Sequence, residues 1–191
     1  SCHCLVKYST KTNQAVARTT LGLFPASMEI STITGFLYCV NFNLHGSMKP
    51  SNVSVVDPET MTEITKITTG SMPHGSRLSP DGLFQYSVAM MSGELFEIDA
   101  LDLKVNRVLD LENKMMSPKK MDDKMMNKNM QDNMVNNDKE KAMMSSMPNM
   151  KHSMVKPTWV IPHPNQNIAY VAGNGSDEVI EVNLDKWEVT S

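Results

Sequence analysis

The sequence predicts an all-β fold built from repeated four-stranded units, and three observations support that prediction. Short segments rich in Val, Ile, Thr and Tyr alternate with turn residues along most of the 191 residues. One strand-plus-turn pattern recurs four times, and proline and tyrosine markers recur with matching spacing. Strand-rich repeats of about 40–50 residues are typical of a β-propeller, in which neighbouring sheets stack to bury a shared core.

The recurring pattern is a short apolar strand that ends at an acidic or polar turn. Tyr8 and Val56 are 48 positions apart, Val56 and Ile98 are 42 apart, and Ile98 and Val182 are 84 apart. The last interval equals one repeat plus an insertion of about the same length. The four copies are Leu5–Ser9, Val53–Asp57, Leu95–Asp99 and Val179–Asn183.

Two further markers give the same spacing. Pro25, Pro73 and Pro157 are separated by 48 and 84 positions, as are the tyrosines at 38, 86 and 170. We therefore predict about three and a half four-stranded blades of a β-propeller. Each copy of the pattern is interpreted as the first strand of a blade. This divides the chain into propeller residues 1–113, an insertion at 114–156 between the second and third strands of the third blade, and propeller residues 157–191.

The insertion has an unusual composition. Lys114–Met154 contains twelve of the eighteen methionines, and their neighbours are Lys, Asp and Asn, not the apolar residues of a core. Thioether sulfur is a soft ligand that prefers Cu(I), so we predict a copper-binding segment. Two alternatives remain open: a polar loop in which Met has no ligand role or serves as an oxidation sink, and a Met-rich loop that binds peptides.

The end of this segment combines thioethers with an imidazole. Three sulfurs, or two sulfurs and one imidazole, suit Cu(I), and the imidazole also accommodates Cu(II). The candidate ligands here are Met143, Met144, Met147, Met150, His152 and Met154.

Further soft and borderline ligands fall in connections that strand parity places on one rim of the propeller. In an up-and-down sheet, alternate connections open on the same side. The candidate ligands in these connections are Cys2, His3, Cys4, His45, Met48, Met72, His74, Met90 and Met91. For Cys2 and Cys4 two interpretations stand side by side, two thiolates on one soft metal or two small residues buried at a strand edge. Cys39 is expected in the core.

These residues resemble the YVTN-type β-propellers, which include quinoprotein-like and cytochrome-type nitrite reductase propellers. Gly70–Gly75 resembles the family's Gly-x-x-Pro-x-Gly loop, and Ser79–Gly82 resembles a strand turn. Tyr38–Asn41 and Tyr170–Gly173 approximate the name-giving tetrapeptide, and Val53–Thr60 resembles the first strand and turn. The resemblance implies a seven-bladed propeller with His74 near the central channel. It does not imply one function, because the fold serves many.

The remaining features narrow the function. A net charge of −3 and a pI near 5.9 argue against a nucleic-acid partner. No apolar run reaches the about 18 residues of a membrane span, and Ser1 follows no leader, so we expect a processed or partial chain. Gly-x-Ser-x-Gly, His-Glu-x-x-His and phosphate-loop motifs are absent, which favours binding over catalysis.

The sequence thus favours a periplasmic, secreted or cell-surface copper-binding propeller. Its expected partners are the copper ion, a copper-accepting protein and further propeller blades. The alternatives are the propeller subunit of a copper- or haem-dependent redox enzyme, and a propeller that binds proteins without metal.

Overall fold

The computed structural model describes residues 3–112 and 152–191, and these residues form β-strands joined by turns. No helix that could cross a membrane occurs in these two ranges. The strands are β1 (Cys4–Tyr8), β2 (Ala15–Thr20), β3 (Pro25–Ile30), β4 (Leu37–Asn41), β5 (Pro50–Asp57), β6 (Thr62–Ser71), β7 (Pro73–Leu78), β8 (Phe84–Ala89), β9 (Glu94–Asp99), β10 (Lys104–Asp110), β11 (Pro157–Pro162), β12 (Ile168–Gly173), β13 (Glu178–Asn183) and β14 (Glu188–Val189).

The strands form antiparallel sheets in chain order. We call the two-stranded sheet β1-β2 sheet A, and the four-stranded sheets β3 to β6, β7 to β10 and β11 to β14 sheets B, C and D. Each of sheets B, C and D begins at one of the marker prolines. Proline has no N–H to donate within a strand ladder, so it is suited to the first position of a strand. The predicted all-β fold with repeated four-stranded units is confirmed, and the two described ranges contain about three and a half of them.

The predicted phase of the repeat was wrong by two strands. We expected Val53–Asp57, Leu95–Asp99 and Val179–Asn183 to open blades, but these segments lie in β5, β9 and β13, the third strands of their sheets. A periodic sequence fixes the spacing of equivalent strands. Which four strands share a sheet is fixed by their hydrogen-bond pairing, and that pairing joins β3 to β6 without interruption.

The Met-rich segment therefore lies between two sheets, not within one blade. It follows β10, the last strand of sheet C, and precedes β11, the first strand of sheet D. Its two ends meet: the carboxylate of Glu112 accepts hydrogen bonds from the backbone N–H of Met154 and, at 3.5 Å, from that of Val155. Connections between the second and third strands of a sheet and connections between successive sheets open on the same rim. A shift of two strands turns one kind into the other, so each predicted ligand stays on the rim where we expected it.

The core lies between the sheets. Leu5 and Leu21 pack with Cys39 between sheets A and B, and Cys39 is buried as predicted. Tyr38 and Ile98 belong to the cluster between sheets B and C. The cluster between sheets C and D includes Tyr86, Val88, Val160, Val171 and Val182. Because each sheet is buried by its neighbours, the stack of sheets is the unit of stability.

The first strands of successive sheets lie side by side. β7 contacts β3 on one side and β11 on the other. Side chains of one first strand bond the backbone of the next: Ser27 Oγ donates to the carbonyl of His74 at 2.9 Å, and Glu29 Oε2 accepts from the N–H of Leu78 at 2.6 Å. These strands form the inner side of the arc and position His74.

Candidate metal-binding rim

Two rims follow from the antiparallel strand order. The upper rim comprises the connections after even-numbered strands, and the lower rim comprises the connections after odd-numbered strands. The predicted ligands in the described structure lie in, or beside, the upper-rim segments: His3, Cys4, His45, Met48, Met72, His74, Met90, Met91, His152 and Met154. Cys2, Met143, Met144, Met147 and Met150 lie outside the described residues.

His74 has the best-defined imidazole of this rim. Its Nδ1 lies 3.1 Å from the carbonyl oxygen of Thr158 in the neighbouring first strand. A carbonyl can only accept, so Nδ1 donates the proton, and in the neutral ring Nε2 then carries the lone pair. The ring is held edge-on between Phe42 and Trp159, at centroid distances of 4.9 and 5.6 Å. A backbone carbonyl that fixes the tautomer in this way is the usual support of a metal-binding histidine.

His3 and His45 are arranged differently. Both imidazole rings lie near the phenyl ring of Phe24, at centroid distances of 6.1 and 5.6 Å. The N–H of Phe24 donates to His3 Nδ1 at 3.1 Å, which occupies the ring nitrogen that carries the lone pair. His3 must give up this hydrogen bond before Nδ1 can bind a metal. His45 is exposed and takes no part in the hydrogen bond between Phe24 and His3.

The rim methionines divide into buried and accessible groups. Met72 and Met91 are buried, Met48 and Met90 are half-buried, and Met154 is 79% exposed. The backbone ties several of them together, because Met90 N–H donates to Met72 O at 3.0 Å and Ser153 N–H donates to Met91 O at 2.9 Å. Met154 is thus held beside the Met72–Met91 part of the rim with its thioether in solvent.

Cys4 is disulfide-bonded, and Cys39 is the buried free thiol. A disulfide sulfur is not a thiolate, so Cys4 can bind a soft metal through a thiolate only after reduction. Burial raises the pKa of Cys39 to about 11 and keeps this thiol protonated. Neither cysteine therefore offers a thiolate in the state described.

Among residues 3–112 and 152–191, no three His, Cys, Asp or Glu side chains come close enough to hold an ion together. The strand order gathers the predicted ligands on one rim without joining three such side chains into a preformed centre. His152 adds a buried Nδ1 without a hydrogen-bond partner in the described part of the chain. A metal site here needs sulfur from methionines or ligands from residues 113–151.

Sequence reasoning missed two features of this rim. The aromatic partners Phe24, Phe42 and Trp159 lie far from the histidines in sequence, and only the stacking of sheets brings them together. The role of Glu112 was also missed. The sequence shows an acidic residue at the boundary of the Met-rich segment. It does not show that this carboxylate accepts a hydrogen bond from Met154, because the two residues are brought together only by folding.

The lower rim has a separate cleft of about 330 Å³ between sheets C and D. Phe84 and Tyr86 line it, together with the buried Glu97 and its partner Arg107. Arg107 donates to both carboxylate oxygens, at 2.8 and 2.5 Å, and Asn106 donates to Oε1 at 2.7 Å. Burial raises the pKa of Tyr86, and the charge of Glu97 reinforces the shift. None of the predicted metal ligands lines this cleft.

Comparison with known proteins identifies the fold class. No protein-family model matches the chain, and no curated protein sequence matches it. Among solved structures, hydrazine synthase from Kuenenia stuttgartiensis matches with a TM-score of 0.67 and 17% identity, over 99% of this chain and 42% of that one. The dihydro-haem d1 dehydrogenase NirN, solved in complex with DHE, matches with a TM-score of 0.59 and 12% identity, over 100% of this chain and 33% of that one.

These likenesses establish the β-propeller fold and, at such low identity, the fold alone. The chain spans less than half the length of either structure.

Proposed function

We propose that this chain is a copper(I)-binding β-propeller protein that works outside the cytoplasm in copper homeostasis, resistance or delivery. The observation that carries the proposal is the junction at Glu112. There, Glu112, which precedes the segment with twelve methionines, accepts a hydrogen bond from the N–H of Met154 at the end of that segment. The neighbouring Ser153 is bonded to the backbone of Met91 on the upper rim. A soft-ligand segment is thereby fixed to the rim that carries His74 and the rim methionines.

The chemistry of the donors suits Cu(I) as cargo. Several exchangeable thioethers bind a soft monovalent ion and release it to a stronger ligand set, and thioether affinity does not depend on deprotonation. His74 suits a receiving role because its Nδ1–H bond to Thr158 leaves Nε2 as the ligand atom. The disulfide at Cys4 supports the location, because disulfides persist in oxidising compartments.

The test is Cu(I) competition against a chromogenic chelator, with Ag(I) as a second soft probe. Three proteins are compared: the full chain, a variant in which residues 114–154 are replaced by a short Gly/Ser linker, and a variant in which the twelve methionines of that segment are changed to Leu. The full chain is expected to withdraw several equivalents of Cu(I), and both variants to lose most of that capacity. The Leu variant keeps length and apolar character, so it isolates the thioethers.

The role of His74 is tested separately. His74→Phe keeps an aromatic ring between Phe42 and Trp159 but removes Nε2. We expect this variant to bind its last equivalent of Cu(I) more weakly, so that the chelator removes that ion at a lower chelator concentration. His163→Phe on the lower rim is the matched control. Equal Cu(I) capacity in the full chain, the linker variant and the Leu variant would show that the copper proposal is wrong.

A second candidate is the propeller subunit of a copper- or haem-dependent redox enzyme. The observation in its favour is that the two similar structures are, by name, a hydrazine synthase and a dehydrogenase of dihydro-haem d1. This candidate requires an absorption or electron paramagnetic resonance signature after the full chain is loaded with haem or Cu(II). A chain that stays spectroscopically silent under both conditions rules this candidate out for the segment.

A further inference from the structure

The cleft on the lower rim is a preformed cavity that the copper proposal does not use. Its volume of about 330 Å³ lies within the range of small-molecule sites in proteins, about 300–1,000 Å³. One wall comes from the turn after β7, at residues 79–81, and the other from the turn after β11, at residues 163–167. Sheets C and D each have four strands in the described ranges, so the walls and floor all come from described residues.

The floor of the cleft holds a buried ionic network. Glu97 is 1% exposed and Tyr86 is 3% exposed, and both line the cavity beside Arg107. Arg107 donates hydrogen bonds to both oxygens of the Glu97 carboxylate. Apolar residues of similar volume often stabilise a protein interior as well as a buried ion pair does. An ion pair that opens into a cavity therefore points to a ligand.

The cleft carries an excess of negative charge. It is lined by three carboxylates against one guanidinium, namely Asp81, Glu97 and Asp185 against Arg107. Burial is the main cause of the raised pKa of Tyr86, and the charge of Asp81 adds to it. The hydrogen bond to Glu97 is the main cause of the raised pKa of Arg107, and the charge of Asp185 adds to it. Both aspartates thus act on the floor, and a cleft with one dominant sign of charge attracts the opposite ion.

The two aspartates are held in place by one oxygen each. Asp81 Oδ1 accepts from Ser79 Oγ at 2.5 Å and from the N–H of Leu83 at 3.1 Å. Asp185 Oδ1 accepts from Asn167 Nδ2 at 2.9 Å. Within the described ranges, neither Oδ2 makes a hydrogen bond or a salt bridge. No three His, Cys, Asp or Glu side chains of these ranges gather into a metal site, so this charge suits an extended organic cation.

We propose that the lower-rim cleft binds a small aliphatic diamine with both of its amines protonated. One ammonium group bonds Asp81 Oδ2 on the wall from sheet C, and the other bonds Asp185 Oδ2 on the wall from sheet D. The methylene chain between them packs on Phe84, where it loses contact with water. None of the predicted copper ligands lines this cleft, so the proposal stands independently of copper.

The probes are putrescine and cadaverine, titrated into the full chain in a calorimeter at low ionic strength, where charges are least screened. Pentylamine has a single ammonium group, and pentanediol has hydroxyls in place of both. At least one diamine is expected to bind saturably, with one molecule per chain. We expect pentylamine to bind at least about tenfold more weakly, because it lacks one charged hydrogen-bonding group, and pentanediol to show no binding.

Substitutions then locate the site. Asp81→Asn and Asp185→Asn remove the charge but keep an acceptor oxygen for the existing hydrogen bonds, and each is expected to weaken diamine binding at least about tenfold. Asp102→Asn is the matched control, since it removes an exposed charge from the same rim outside the cleft and is expected to leave the affinity unchanged.

Several results would overturn the proposal. These are the absence of diamine binding, equal binding of diamine and diol, binding that survives both cleft substitutions, and an equal loss in Asp102→Asn. Displacement of the diamine by an equal concentration of Mg²⁺ would also overturn it, because the cleft would then be a site for an inorganic cation. The comparison of diamine with diol uses the unsubstituted chain, so it decides the question even if a variant fails to fold.

Discussion

Glu97 is an acidic residue in the protein interior, where a charged group loses its hydration. Its side chain is 1% exposed, and Arg107 and Asn106 donate hydrogen bonds to its carboxylate. Arg107 also lies over the ring of Trp187, 4.4 Å from its centroid. The hydrogen bond from Arg107 to Glu97 raises the pKa of the guanidinium, so Arg107 stays charged. A buried carboxylate with this many partners is sensitive to the loss of any one of them.

We therefore expect Arg107→Ala to lower the free energy of unfolding by about 3 kcal/mol, because it leaves Glu97 buried without its counter-charge. Urea denaturation at pH 7 measures this change. Lys104→Ala is the control, since the Lys104–Asp102 pair is largely exposed and exposed pairs contribute about 1 kcal/mol or less. Equal effects of the two substitutions would show that Glu97 does not depend on Arg107 as its counter-charge.

Cys39 gives a pH dependence with a defined sign. Burial raises its pKa from 9.0 to about 11, so the folded chain holds this proton more tightly than the unfolded chain does. Stability is therefore unaffected by Cys39 below pH 9 and falls as the pH rises from 9 to 11, by about 1.4 kcal/mol per pH unit at most. Cys39→Ala is expected to flatten this alkaline slope when unfolding free energies are compared between pH 8 and pH 11.

Every other side chain is the same in the two proteins, so the difference between the parent chain and Cys39→Ala isolates the thiol. Parallel curves for the two proteins would contradict the assignment. In the same buffers, Cys39 should resist alkylation until the chain unfolds.

At the scale of elements, the close approach of β7 and β11 sets the geometry of the rim. A Cβ on Gly75 would clash with the carbonyl oxygen of Thr158 and would lie 2.7 Å from Trp159 Cα. Both are backbone atoms, which cannot move aside as a flexible side chain can. The absence of a side chain at Gly75 is therefore what lets His74 reach the carbonyl of Thr158.

Gly75→Ala is expected to destabilise the chain by about 3 kcal/mol, at the upper end of the usual cost of overpacking. Thermal unfolding followed by circular dichroism measures the loss. Gly35→Ala, at φ 73° with nothing within 4 Å of a new Cβ, should cost only about 1–2 kcal/mol of backbone strain. A smaller loss at Gly75 than at Gly35 would mean that β7 and β11 separate easily.

The comparison of sequence and structure is clearest for these elements. The positions of Pro25, Pro73 and Pro157 predicted the spacing of the sheets correctly, because each proline begins a first strand. The phase could not be predicted, since the most regular pattern, Val53–Asp57, marks a third strand and the pairing that groups strands is non-local. The assignment of the predicted ligands to one rim did not change, because a shift of two strands leaves even-numbered strands even-numbered. The ring neighbours of His74 depend on sheet stacking and left no local signal.

At the scale of the whole molecule, the Met-rich segment should be separable from the fold. Replacing residues 114–151 with a Gly/Ser linker of about five residues keeps the bonded residues Ser153 and Met154. The replacement is expected to raise the free energy of unfolding by about 1–2 kcal/mol, because a shorter connection costs less chain entropy to close. Chemical denaturation measures this change. A loss of several kcal/mol would show that the segment contributes to the core, contrary to the composition that suggested a ligand role.

The junction at Glu112 has a practical consequence for engineering. Since one carboxylate gathers both ends of a connection at a single point of the upper rim, what lies between those ends does not have to span any distance. The same junction could accept another guest sequence, such as a different metal-binding peptide or a small tag, without any change in the sheets. It is a natural insertion port.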